Sequence, residues 1–115
     1  MTDLASLRDQ LRTFAAERDW DQFHSPKNLA AALAVEASEL LEHFQWLTEA
    51  QSQQLPLETL DEVRAEVADV LLYLIRISDK LGIDLIEAAN TKITLNAAKY
   101  PVEKARGSSK KYTAL

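Results

Sequence analysis

The sequence predicts an all-α fold with four main helices, and three observations support this prediction. Apolar residues recur at the helical period along the 115-residue chain, and no stretch alternates cleanly like a β-strand. The chain is 47% hydrophobic, so it can form a folded core, and only two Gly and three Pro interrupt it. Its length suits one domain over residues 1–115. Because so small a chain buries its core incompletely, a core shared between subunits also fits.

Each helix is placed by its apolar period and by residues that suit its ends. Ser25 is a suitable N-cap for the second helix, Gly82 suits the end of the third, and Asp84 suits the start of the fourth. The predicted helices cover residues 3–17, 27–47, 57–81 and 84–98. Residues 18–26 and 48–56 are predicted loops, and a basic tail from about residue 101 to 115 is predicted to be irregular.

The charge distribution limits the partners that the protein can have. A net charge of −5 argues against nonspecific binding to nucleic acid. From residue 98 onwards five basic residues accompany one acid, giving +4, so the remainder carries −9. An acidic body with a basic tail could hold a cation at one end of a ligand and an anion at the other, and a solubilising tail is the alternative.

Several classes of protein are excluded by composition and by the ends of the chain. The absence of Cys excludes disulfides, thiolate chemistry and zinc–cysteine sites. The polar N-terminal segment MTDLASLRDQ does not read as a signal peptide, and the longest apolar run, VLLYLI, is too short to span a bilayer. A cytoplasmic location is therefore expected.

Two pairs of acidic residues, each spaced by three positions, are the main candidates for chemistry. Glu36 and Glu39 lie on the second predicted helix, and Glu66 and Asp69 lie on the third. Residues three apart share a helix face, and one member of each pair borders the apolar stripe of its helix. Clustered carboxylates repel one another, and burial favours their protonation, but a hard divalent cation removes both problems. Oxygen ligands favour Mg²⁺ or Mn²⁺, which commonly binds phosphates in such sites.

Two alternatives to a magnesium site remain at this point. Ordinary solvated acids would explain any single Glu, but they explain poorly two spaced pairs that each place one member beside the core. A di-iron bundle also uses inward carboxylates, but it requires Glu-x-x-His pairs. His43 comes four residues after Glu39 and has no counterpart on the third helix.

The third helix also carries an indication of association. Leu72 and Ile75 occupy much of the side opposite its apolar stripe, which consists of Val63, Val67, Val70, Leu74, Ile77 and Leu81. A helix that is apolar nearly all round is buried on more than one face. In so small a chain this pattern predicts an oligomer.

The order Glu36-x-x-Glu39, twenty-six residues, then Glu66-x-x-Asp69 resembles the metal-binding signature of the all-α nucleoside triphosphate pyrophosphohydrolases, the MazG-like family. The stretches FAAERDWDQFHSPKNLAAAL, ELLEHFQW, EVADVLLYLI and KYPVEKARGSSKKYTAL resemble the single-domain dCTP pyrophosphatase branch. This resemblance covers nearly the whole chain. It implies a four-helix-type bundle that assembles as a dimer or as a tetramer made from dimers. It also implies Mg²⁺-dependent hydrolysis of a (deoxy)nucleoside triphosphate, dCTP or a modified dCTP, to the monophosphate and pyrophosphate.

The resemblance also assigns roles to residues by position. It implies that all four acids are metal ligands and that Glu36 or Glu39 is the general base. It implies a base pocket lined by Trp20, His24, Trp46 and Tyr73. Packing is the alternative role for these aromatic side chains. Further nucleotide contacts are expected from the fourth helix and the tail: Lys92, Asn96, Lys99, Arg106, Lys110, Lys111 and Tyr112.

Two other functions stay open. One is a related pyrophosphohydrolase that acts on another nucleotide, such as dUTP or a non-standard triphosphate. The other is a noncatalytic helical interaction module that keeps the acids as a charged groove. No nucleic acid or membrane partner is expected for any of these functions.

Overall fold

In a computed structural model, which describes residues 2–115, the chain forms six α-helices and no β-strand within that range. The helices are α1 (Leu4–Glu17), α2 (Pro26–Glu42), α3 (Glu49–Ser52), α4 (Leu57–Lys80), α5 (Leu85–Lys99) and α6 (Val102–Ala105). Two 3₁₀ turns, Asp21–Phe23 and Tyr112–Ala114, complete the regular structure. The four long helices confirm the predicted all-α fold.

The predicted caps form at the ends of the long helices. The Ser25 side chain accepts a hydrogen bond from the Asn28 amide at 3.1 Å, and the Asp84 side chain accepts one from the Glu87 amide at 3.0 Å. Each cap satisfies an amide that has no partner within its helix. Gly82 follows α4 with φ of +68°, which is the left-handed conformation that glycine adopts without strain.

The second helix is shorter than predicted. It ends at Glu42, whereas the apolar period continues to Leu47. Beyond it the backbone forms tight turns, in which the Phe44 amide donates to the Leu41 carbonyl and the Leu47 amide donates to the Phe44 carbonyl, each at 2.9 Å. In these turns the two amides pair with carbonyls three residues earlier, in place of the four-residue spacing that an α-helix requires.

The predicted loop 48–56 contains a short helix, α3, which starts at a reciprocal cap. The Gln51 amide donates to the Thr48 side chain at 3.1 Å, and the Thr48 amide donates to the Gln51 side chain at 2.9 Å. This capping box stabilises a single turn of helix without any apolar period. The prediction of a plain loop there is wrong for this reason.

The chain divides into two compact units, one ending at Gly82 and the other comprising Ile83–Leu115. In the first unit α4 packs against both α2 and α1. The apolar core contains Ala15, Leu29 and Ile75, each at most 3% exposed. Ile75 lies opposite the predicted stripe of this helix and is buried, whereas Val67, Leu74 and Leu81 of that stripe are exposed, so the expected burial of α4 on more than one face is not complete within the chain.

One face of α4 nevertheless remains open to solvent. Leu60, Val67, Leu71 and Leu74 follow one another at helical spacing, and each is between 37% and 51% exposed. They form a continuous apolar stripe, which we call the open face of α4. Its exposure is unusual for large apolar side chains grouped on one helix.

In the second unit none of the residues of α5, Leu85–Lys99, is buried. The tail was predicted to be irregular, but it contains α6 and the final 3₁₀ turn. Tyr100 and Tyr112 meet edge to face with ring centres 5.9 Å apart, and the Lys99 ammonium lies 5.0 Å from the centre of the Tyr112 ring. Aromatic and cation–π contacts therefore hold the tail to the end of α5.

No helix within residues 2–115 is both long enough and apolar enough to cross a membrane.

Candidate metal centre and nucleotide site

Three of the four predicted metal ligands converge where α2 packs against α4. One carboxylate oxygen from each of Glu36, Glu39 and Glu66 lies within 4.8 Å of the other two, and all three side chains are half-buried. The spacing of three residues puts the two glutamates of α2 on one face, and packing brings Glu66 of α4 towards that face. We call these three residues the acidic cluster.

The acidic cluster contains two oxygens that the protein does not satisfy. Glu36 Oε2 and Glu66 Oε2 are buried and have no hydrogen-bond partner among residues 2–115. Buried polar atoms are normally paired, so each of these oxygens indicates a ligand or a proton that completes the site. This confirms the prediction that Glu36 and Glu66 border the core.

Mutual repulsion and burial change the acidity of the cluster. The pKa of Glu36 is raised from 4.5 to about 7, first by the neighbouring Glu66 carboxyl, with which only the protonated form can share a hydrogen bond, and then by loss of solvent. A hydrogen bond with Glu39 and the negative charges of Glu39 and Asp69 raise this pKa further. The metal-free cluster therefore retains a proton near neutral pH.

Asp69, the fourth predicted ligand, is exposed and lies outside the acidic cluster. Its charge still reaches Glu36, since it contributes to the raised pKa of that carboxyl group. The structure thus brings three of the predicted ligands together and leaves Asp69 at the margin.

The acidic cluster fits a hard divalent cation. Its donors are carboxylate oxygens alone, two of them lack partners, and cation binding would relieve their repulsion. His43, the histidine considered for a di-iron centre, lies with Nδ1 3.6 Å from Glu62 Oε2 and does not belong to the cluster. The ligand set therefore favours Mg²⁺ or Mn²⁺ over a di-iron centre.

The residues predicted to contact the base occupy different positions in the first unit. Trp20 and His24 lie together at the turn before α2, with ring centres 6.2 Å apart and edge-to-face geometry. Tyr73 is half-buried on α4. Trp46 lies in the turns after α2 and is 87% exposed. A tryptophan this exposed contributes little to the core of its own chain.

The residues predicted to contact the phosphates lie in the second unit. Lys92 and Asn96 are exposed and four residues apart on α5, so they share a face. Lys99 and Tyr112 contact each other as described above. The remaining basic candidates of the tail are all exposed: Arg106, Lys110 and Lys111.

Sequence patterns missed a network of charged side chains around Arg76 of α4. The Arg76 guanidinium bonds to Asp21, lies 3.7 Å from Asp79, and donates from Nε to His24 Nδ1 at 3.1 Å. Lys80 also bonds to Asp21, at 2.9 Å, and Arg12 of α1 makes two bonds to Asp79, at 2.7 and 2.5 Å. An arginine inside the apolar run VLLYLIRIS was the available signal.

Comparison with known families identifies the family to which this chain belongs. The sequence model of the MazG-like family matches residues 31–115, a range that includes all four predicted acids. The chain belongs to the MazG-like family.

Individual relatives of this MazG-like chain agree with that assignment. It is 43% identical over 114 residues to dCTP pyrophosphatase 1 of Mus musculus and 41% identical to the protein of the same name from Homo sapiens. Each alignment covers 97% of this chain and 67% of the relative. The crystal structure of a pyrophosphatase from Archaeoglobus fulgidus superimposes with a TM-score of 0.77 at 40% identity. That match covers 88% of this chain and 94% of the archaeal one. The MazG-like chain is thus a dCTP pyrophosphatase-like pyrophosphohydrolase.

Proposed function

We propose that this protein hydrolyses a deoxynucleoside triphosphate, dCTP or a modified dCTP, to the monophosphate and pyrophosphate. The convergence of Glu36, Glu39 and Glu66, with two unsatisfied buried oxygens, is the observation that supports a metal-dependent reaction. The names of the mammalian relatives support dCTP as the nucleotide. Such an enzyme would remove surplus or non-standard nucleotides from the cell.

The acidic cluster would hold Mg²⁺, and Asp69 would join it as a fourth ligand from the same face of α4. When bound, Mg²⁺ neutralises phosphate charge and lowers the pKa of a coordinated water. The open positions left by a few carboxylates would suit the phosphates of a nucleotide. Mn²⁺ would serve in the same way.

The chain's own carboxylates would accept the proton in this reaction. A water would attack the α-phosphorus, Glu36 or Glu39 would take its proton, and pyrophosphate would leave.

Aromatic and basic side chains would bind the rest of the nucleotide. Trp20, His24, Trp46 and Tyr73 would contact the base, where stacking on an aromatic ring contributes about 1–3 kcal/mol in nucleic-acid sites. Phosphate contacts would come from Lys92 and Asn96 of α5 and from the tail residues Lys99, Arg106, Lys110, Lys111 and Tyr112. The family match extends into both units, which supports one functional domain over residues 1–115.

Association of several copies is part of the proposal. The open face of α4 gives an apolar surface that a second copy would cover, as a dimer or in a tetramer made from dimers. In the second unit, Ile86 and Ile93 of α5 are 57% and 65% exposed, and they give that unit an apolar surface that another copy would also cover.

Pyrophosphate release tests the proposal directly. Purified protein would be supplied with Mg²⁺ and with dCTP, 5-substituted dCTPs, dUTP or dATP, and released pyrophosphate would be measured. We expect release from dCTP or a modified dCTP, and its loss when EDTA removes the cation. Preference for dUTP would identify a related pyrophosphohydrolase, and no release from any nucleotide by folded protein would indicate the noncatalytic module.

A further inference from the structure

Arg76 is the one charged residue within residues 2–115 whose side chain is buried, with 5% of its surface exposed. Arginine is seldom buried unless its charge is paired. Ion pairs with Asp21 and Asp79 supply that pairing, yet Arg76 also donates a hydrogen bond to an uncharged acceptor, the ring of His24. This bond to His24 does not neutralise the buried charge, so its effect on His24 is the feature to explain.

The direction of that bond fixes the position of the proton on His24. Arginine has N–H donors and no acceptor, so Nδ1 of His24 must accept the bond from Arg76 Nε at 3.1 Å. An accepting nitrogen carries no proton, and the ring proton of neutral histidine must then be on Nε2. No side chain or backbone group of residues 2–115 hydrogen-bonds to His24 Nε2, so this N–H is free to meet a ligand.

The surrounding charges keep His24 neutral. The pKa of His24 lies below its usual value, because burial and then the positive charge of Arg76 disfavour a second proton. Asp21 opposes this shift and Lys80 adds to it. Both the bond from Arg76 and the local charge thus favour one form of the ring.

We propose that Arg76 is a positioning residue for nucleotide recognition, which holds His24 as an Nε2–H donor directed at an acceptor atom of the base. This inference rests on the proposed function, in which His24 contacts the base. The acceptor would be a carbonyl oxygen or an unprotonated ring nitrogen. An amino group at that place would leave the N–H of His24 without a partner and would be rejected.

Without Arg76 the ring would lose this constraint. A free neutral imidazole carries its proton on either nitrogen, so Nε2 would donate for only part of the time, and protonation of the ring would become easier. A ring that also turns away from the base would lose the bond altogether, and loss of one ordinary hydrogen bond corresponds to a weakening of binding by about fivefold to tenfold.

The first measurement is the ¹⁵N spectrum of the histidine rings in the full-length protein. The sequence has two histidines, so His43 serves as an internal reference. We expect His24 to show a protonated Nε2 and an unprotonated Nδ1 at neutral pH. Arg76→Met should convert this signal to that of a mixture of forms and raise the pKa of His24, while His43 stays unchanged.

Arg12→Met is the matched control. Arg12 belongs to the same charged network and bonds to Asp79, but it makes no bond to His24. Its removal should alter stability without changing the form of the His24 ring. If Arg76→Met does not fold, Arg76→Lys replaces it, because a compact ammonium cannot form the same fork of bonds to Asp21 and His24.

The second measurement separates substrate binding from turnover. With dCTP, KM should rise about fivefold to tenfold in Arg76→Met, with a smaller change in kcat. His24→Phe keeps a ring but removes both nitrogens, so adding Arg76→Met to it should leave KM unchanged. This double-mutant cycle tests whether Arg76 acts through His24.

Three results would overturn the inference: a proton on Nδ1 of His24 in the wild-type protein, a doubly protonated ring at neutral pH, or an equal rise of KM in Arg12→Met and Arg76→Met. Absence of pyrophosphate release from every nucleotide by the wild-type protein would instead refute the proposed function, and base recognition by His24 with it. The ring spectra would still decide whether Arg76 fixes the proton of His24.

Discussion

At the scale of single residues, the proposed metal ligands can be tested by substitutions that remove the charge of a side chain but keep its shape. Glu39→Gln and Asp69→Asn are expected to preserve the fold and abolish pyrophosphate release, because a neutral amide is a much poorer ligand for Mg²⁺ than a carboxylate. Glu39 is half-buried and Asp69 exposed, so neither change disturbs a packed interior. Circular dichroism would check the fold, and a pyrophosphate assay the activity.

Glu42→Gln is the matched control for these variants. Glu42 is an exposed acid at the end of α2, one turn beyond Glu39, and it does not belong to the acidic cluster. It should keep its activity. Wild-type activity in Glu39→Gln or Asp69→Asn would contradict the proposed ligands.

The raised pKa of Glu36 gives a prediction for stability. Between its usual pKa of 4.5 and the folded value of about 7, the folded protein binds a proton that the unfolded chain has released. The free energy of unfolding of the metal-free protein should therefore fall as pH rises through this window, and level off above it. Urea unfolding in EDTA from about pH 5 to pH 8 would measure this slope.

Comparison with Glu36→Gln isolates that effect from other titrating groups. The lowered pKa of His24 acts in the opposite direction below its usual value of 6.5, and it is present in both proteins. The variant should lose the downward slope that Glu36 causes. Identical slopes in the two proteins would show that folding does not raise the pKa of Glu36.

At the scale of elements, the cap of α2 supports the helix that carries two of the metal ligands. Ser25→Ala should lower the free energy of unfolding by about 1 kcal/mol, because the Asn28 amide loses its acceptor. Ser38→Ala is the control, since the Ser38 hydroxyl donates to the Ala34 carbonyl in mid-helix, where alanine is preferred. Chemical denaturation would compare the two, and an equal loss in both would refute a capping role.

The local chemistry of helix ends made part of the fold predictable from sequence. Ser25, Asp84 and Gly82 act through residues within one turn of themselves, so their roles could be inferred without knowing the fold. The helix α3 was missed because four residues give no apolar period. Its Thr48-x-x-Gln51 capping box was a local signal of a helix start.

The candidate site was predictable to the extent that helix periodicity determines it. Glu36 and Glu66 border apolar stripes, and their buried oxygens follow from that position. The bonds from Arg76 to His24 and Asp21 join residues 52 and 55 positions apart, respectively. Such pairs depend on how α4 meets the turn before α2, which periodicity within one helix does not reveal.

At the scale of the whole molecule, the open face of α4 predicts association. Val67→Glu places a charge within this apolar face and should reduce the number of subunits per particle, because a buried unpaired charge opposes association. Ala65→Glu adds the same charge to an exposed position on another side of α4 and should leave assembly intact. Light scattering coupled to size-exclusion chromatography would measure the mass, and an unchanged mass in Val67→Glu would exclude this face from the interface.

Finally, the residue that position 82 can accept is limited by the handedness of its α-carbon and not by the size of its side chain. A methyl group added there would meet no atom within 4 Å, yet φ is +68°, so an ordinary alanine is disfavoured by conformation alone. A mirror-image D-alanine, introduced by chemical synthesis, adopts this conformation readily and should raise the free energy of unfolding by about 0.4–1 kcal/mol. The L-alanine variant should instead be less stable than the natural chain, and calorimetry of the two would reveal opposite signs for the same added atoms.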